Sequence, residues 1–144
     1  MTARRWPAGL GVVAILAAAA TAGAAPRLAH RAYFATPTRQ IGCVLTDGTA
    51  RCDIRRRRWS PPPRPGDCPP VVAYGQGIVV ATAGRPRFVC AADSALIPGA
   101  PILAFGRTDL HDGFYCSSER SGVTCRSAHS GHGFLISRAG YRLF

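Results

Sequence analysis

The sequence predicts an all-β fold, a small disulfide-stapled sandwich or open barrel built from hairpins, with little helix after the first segment. Three observations carry this. Turn signals punctuate the chain about every ten residues. Beyond the apolar leader, no stretch sustains the 3.6-residue apolar period of a helix. Two cysteine pairs, Cys43 with Cys52 and Cys116 with Cys125, share one spacing, with eight residues between partners.

The leader opens with Met1-Thr2-Ala3-Arg4-Arg5 and runs through an Ala-rich apolar stretch, 8–22, to Ala22-Gly23-Ala24. A basic head, an apolar middle and an A-x-A site make residues 1–24 a secretory signal peptide, cut after Ala24. The alternative is a retained anchor, but the run is only marginally long enough for about 30 Å of hydrocarbon. The mature chain is therefore expected to have no transmembrane span. Trp6-Pro7 fits a twin-arginine signal poorly, and no cysteine lies near the cleavage site to carry a lipid. Residues 25–32 read as a flexible basic lead-in, and 33–144 as a single disulfide-rich β domain.

Asp47-Gly48 is a two-residue type I′ turn signal, since both positions need positive φ. Closing the hairpin there sets Thr46 opposite Thr49, Leu45 opposite Ala50, Val44 opposite Arg51 and Cys43 opposite Cys52. Alternation makes the cysteines a non-hydrogen-bonded pair, where side chains approach closely enough for a cross-strand disulfide. Placing Arg120-Ser121 at a second tip gives Cys116 and Cys125 the same relation. The two hairpins read as one device used twice, against the plainer possibility of two unrelated pairs.

Between them, Arg55, Arg56, Arg57 and Arg58 precede Trp59, and a proline-rich stretch over 61–70 should cross the surface in extended polyproline form. Residues 78–82 and 87–91 flank the turn 83–86 as another hairpin, with Cys68 clipping the proline segment to its return strand. Residues 102–106 read as a strand, and 109–113 as the return to the second stapled hairpin. Residues 134–136 and 141–144 close the chain, with a short helical turn possible at 137–139. Six cysteines allow fifteen connectivities. Nearest-neighbour pairing, Cys43–Cys52, Cys68–Cys90 and Cys116–Cys125, is the expectation, in an oxidising compartment.

These segments resemble a family of small secreted, six-cysteine domains common in actinobacteria, of unknown function. The matching residues are Ile41-Gly42-Cys43, Arg51-Cys52-Asp53-Ile54 with Trp59, Phe88-Val89-Cys90-Ala91 with Asp93, Gly122-Val123-Thr124-Cys125, and Gly131-His132-Gly133-Phe134 with Ser137-Arg138 and Tyr141. The resemblance covers nearly the whole mature chain. It implies a secreted, stapled single domain and supplies no catalytic residues. The run at 55–58 is more basic than that pattern, and Ala92 stands where it leads one to expect Gly before Asp93.

All 18 basic residues are arginines, and without Arg4 and Arg5 the remaining 16 face 7 acidic residues, a net +9. A strongly basic exported chain adheres to anionic polymers and lipid head groups. Arg55 to Arg58 are the candidate anion-binding residues, offering forked donors to phosphate or carboxylate. The competing reading is a solvated edge strand whose charges deter aggregation, which would split the four arginines between two faces. Nucleic acid is disfavoured, because the chain carries export signals and few interleaved aromatics. His129 and His132 have H-x-x-H spacing, but a metal site would need His111 or Asp112 as well. No cofactor motif and no G-x-S-x-G elbow is present, and fully paired cysteines leave no thiolate. Asp53, Asp67, Asp93, Asp109 and Asp112 each lie beside a turn or a cysteine, positions suited to backbone capping.

The sequence thus points to a secreted, non-enzymatic cell-envelope domain with a basic, anion-binding surface. The alternative is a small exported enzyme or enzyme inhibitor, with an exposed loop at 107–113 and a cluster joining His111, Asp112 and His132.

Overall fold

The computed structural model describes Thr2, residues 32–46 and residues 48–144. The leader 1–24 with its cleavage site, the lead-in through residue 31 and Asp47 lie outside the described residues. Among the described residues no helix is long and apolar enough to cross a membrane.

Among the described residues, ten strands form two antiparallel sheets, each a five-strand meander. The first holds β1 (Ala32–Ala35), β2 (Ile41–Thr46), β3 (Thr49–Ile54), β4 (Tyr74–Ala81) and β5 (Arg87–Cys90) in chain order. The second holds β6 (Arg107–His111), β7 (Phe114–Glu119), β8 (Gly122–Ser127), β9 (Gly133–Ile136) and β10 (Tyr141–Leu143), also in order. Sheet packs on sheet, with β3 over β8 and β4 over β8 and β9. Alternation along each strand points Leu45, Ala50, Ile78 and Val80 from one side, and Phe114, Val123, Phe134 and Ile136 from the other, into a shared core.

The stapled hairpins are the second and third strands of each meander. Cys43 lies opposite Cys52 with Cα atoms 4.1 Å apart, and Cys116 opposite Cys125 at 4.1 Å. Both disulfides point into the core, where Cys52 Sγ and Cys125 Sγ lie 3.4 Å apart. The start of β2 and the end of β7 border one cavity. Gly48, with φ 94°, closes the first hairpin. The third disulfide joins Cys68 of the proline strap to Cys90 at the end of β5. Arg64 ties the strap down further, donating to the carbonyls of Pro69 at 2.8 Å and Val72 at 2.9 Å.

Three local expectations are corrected. Residues 102–106 are not a strand: Ile102 makes one parallel bridge to Ala35, and the segment is used in crossing between sheets. Ala35 N–H donates to the Pro101 carbonyl at 2.8 Å, and Leu103 N–H to the Ala35 carbonyl at 2.9 Å. The strand comes later, at β6, because Asp112 and Gly113 both take positive φ (47° and 79°) and close a tight hairpin onto β7. Residues 107–113 are therefore a strand and its turn, not an exposed loop. Finally, 137–139 is no helical turn. Ser137 bonds Gly140 through both its N–H and its hydroxyl, which holds the chain in a bend.

Strand β4 begins at Tyr74 because glycines let it pass obstacles. A Cβ at Gly77 would strike the Asp53 side chain and the Cys52 carbonyl. Gly77→Ala is expected to cost about 1–3 kcal/mol, read as a lower urea midpoint at unchanged m-value. An unaltered midpoint would mean that β4 slides freely past β3.

Candidate functional site

The end of the sandwich where β2 begins and β3 finishes gathers most of the charge. Ile41 pairs with Ile54 there, so Arg39 and Arg55 sit side by side, and Arg55 Nε donates to the Arg39 carbonyl at 3.1 Å. The run 55–58 is not an edge strand, because β3 stops at Ile54. It crosses the open end from one sheet to the other. Arg55 N–H donates to the Gln40 carbonyl on the first sheet (2.9 Å), and Arg58 N–H to the Arg138 carbonyl on the second (2.9 Å).

Trp59 anchors the crossing. Its indole N–H donates to the Ser137 carbonyl at 2.8 Å, and its ring packs on Tyr141 and Phe88 with centroids 4.8 and 6.0 Å apart. That aromatic group closes the side of the sandwich between β5 and β10. Arg57 lies over the Trp59 ring, 4.9 Å from its centroid, so its planar face is used while charge remains at the surface. The second sheet adds Arg107, opposite Ser118 in the β6–β7 ladder, Arg120 at the β7–β8 tip and Arg138. Eight of the fourteen described arginines thus lie on the segments that meet at this end, where Glu119 stands beside Arg120 and Arg138.

At this end lies a cavity of about 370 Å³, bounded by the turn before β2, the β7–β8 tip and the bend after β9. Ile41, Ile54 and Phe105 give it apolar walls, and Arg120 and Arg138 stand among the residues that line it. Arg120 also lies 5.1 Å from the Phe105 ring centroid. Gln40 Oε1 is buried here without a hydrogen-bond partner. A buried acceptor left unpaired costs free energy, and Gln76 Oε1 and Ser118 Oγ are orphaned in the same way.

Arg51 serves a different purpose. It forks onto Asp53, with Nε to Oδ1 at 2.9 Å and an Nη2 to Oδ2 at 2.8 Å, and also reaches Asp93 at 2.7 Å. Burial by itself would lower its pKa, but hydrogen bonds to Asp53 and Asp93 outweigh that and raise it, so the guanidinium stays charged. Asp53 also accepts from the N–H of Ala95 and the hydroxyl of Ser94. It caps the segment 91–97 that roofs the outer face of the first sheet, and shares the Arg51 guanidinium with Asp93.

The other sequence candidates do not converge. His111 Nε2 lies 3.0 Å from Asp112 Oδ2, but His132 precedes β9, three strands away from β6 in the order β9-β8-β7-β6. Strands about 4.8 Å apart put the two elements roughly 14 Å from one another. Among the described residues, the group close enough to hold a metal is Cys43, Cys52 and Cys125, and all three are disulfide-bonded. The residues that sequence reasoning missed are Gln40, Arg120 and Arg138. Their signal was positional, since each sits within two residues of a predicted strand end on the arginine-bearing side.

A family model described as a family of unknown function (DUF6636) matches residues 8–144. No curated protein and no solved structure matches the chain.

Proposed function

The chain belongs to the DUF6636 family, a family of unknown function, and we propose that it is a secreted, non-enzymatic domain of the cell envelope that binds anionic polymers or lipid head groups. One observation carries this reading: the arginine run 55–58 crosses the open end between the sheets, and Arg120 and Arg138 line a cavity at that end together with Glu119. Clustered like charges repel, so such an end is destabilising unless an anion compensates it. Support for the address comes from three disulfides, which persist in oxidising compartments. The leader through residue 24 and the basic lead-in after it belong to the same proposal, with the domain beginning at Ala32, the first residue of β1 rather than the last of the lead-in.

The test is co-sedimentation of the oxidised protein with envelope fractions across a salt series. Retention should fall steeply between roughly 0.05 and 0.5 M NaCl as the screening length shrinks from about 14 Å to 4 Å. Replacing Arg55, Arg56, Arg57 and Arg58 together by Ala should weaken retention about tenfold or more, from up to ~1 kcal/mol per exposed contact. Retention indifferent to both salt and the variant would refute the proposal.

A further inference from the structure

We infer that the cavity at the arginine-bearing end takes the single apolar chain of an anionic amphiphile, whose head group rests on Arg120 and Arg138. The inference rests on the anion-binding reading above and adds what enters the cavity. Its volume, about 370 Å³, falls in the range of small-molecule sites, about 300–1,000 Å³. Its apolar walls are Ile41 and Ile54 from the first sheet and Phe105 from the crossing segment, and the second sheet contributes Glu119 and Gly122. Most of the exposed lining is apolar, which a purely polar anion would leave wet.

Charge and hydrogen bonding select the head. Arg120 and Arg138 line the same cavity as the apolar residues, so a ligand reaching both must be charged at one end and apolar at the other. A polymer strand lying across the end would satisfy the arginines and leave the apolar walls unmet. The walls therefore favour the amphiphile, whose phosphate both guanidiniums can hold.

The experiment is a calorimetric titration of the oxidised protein with inorganic phosphate and its butyl, hexyl and octyl monoesters, below their micelle concentrations. Each pair of methylenes entering the cavity should tighten binding about fifteenfold until the cavity is full. Ala139→Trp, at an exposed position lining the mouth, should abolish the chain-length dependence and leave phosphate binding in place. Affinities that are equal across the esters yet salt-sensitive would overturn this inference and leave the anion-binding reading standing. Absence of binding by every probe would overturn both. Chain-length dependence that survives in the Ala139→Trp variant, with its urea midpoint unchanged, would overturn the placement in this cavity.

Discussion

Mild reduction of the native protein opens Cys68–Cys90 and leaves Cys43–Cys52 and Cys116–Cys125 closed; forcing all three open unfolds the domain. Thiol exchange requires access of the attacking thiolate to a sulfur. Cys90 is exposed, whereas Cys43, Cys52, Cys116 and Cys125 are each 0% exposed, facing one another across the core. A reductant reaches that four-sulfur layer only when the two sheets part. The energetic consequence follows from loop length. Closing the two short loops stabilises by about 2.7 kcal/mol each on the chain-entropy model, and the longer loop by about 3.4. Together that approaches 9 kcal/mol, comparable to the whole stability of an ordinary domain, about 5–15 kcal/mol. Alkylation and mass analysis under graded thiol, with and without guanidinium, reads the order directly. Simultaneous labelling of all six cysteines in the folded state would contradict it.

Asp53→Ala is expected to lower stability by about 3 kcal/mol, the low end for breaking a buried ion pair. Asp53 is 1% exposed and satisfies the Arg51 guanidinium, the Ser94 hydroxyl and the Ala95 N–H at once. Its loss leaves a buried backbone donor without a partner and detaches the roof at 91–97 from the sheet. Arg51 keeps Asp93 and some access to water, which holds the cost near the lower bound. Asp53→Asn retains an acceptor for Ala95 and should fall between the two. The measurements are the urea midpoint and limited proteolysis, with new cleavage expected within 91–97. A variant within about 1 kcal/mol of the parent, resistant to cleavage, would show that other contacts hold the roof.

Legibility in the sequence tracked the distance between interacting residues. The Cys43–Cys52 register follows from a turn signal and strict alternation over six residues, all local. The second stapled hairpin was read the same way, and its tip is where the spacing put it. The Asp-Gly signal at 112–113 is of the same kind and would have located β6, had 102–106 not looked more β-prone with its Ile, Leu and Phe. Pro98, Gly99 and Pro101 instead commit that stretch to crossing between sheets, since prolines offer the ladder no donor.

The site was legible only in part. A run of four arginines is visible in any reading, but its role depends on where β3 stops and what lies opposite. Arg120 and Arg138 join it from 62 and 80 residues further along the chain, counted from Arg58. Nothing in the local pattern of either marks it as part of the same end. The Arg51–Asp53–Asp93 network is similar: its members lie on one strand and on a roof segment that only packing brings together.

Alone, then, the sequence determined the strand class, the two stapled hairpins and the sign of the charge, because turn chemistry, alternation and composition act over a few residues. The tertiary structure decided which arginines share an end and that a cavity lies between them. It also decided that His111 and His132 stay apart. Those outcomes depend on how two meanders stack and which strand ends coincide, a property of non-local packing that no short window of the chain contains.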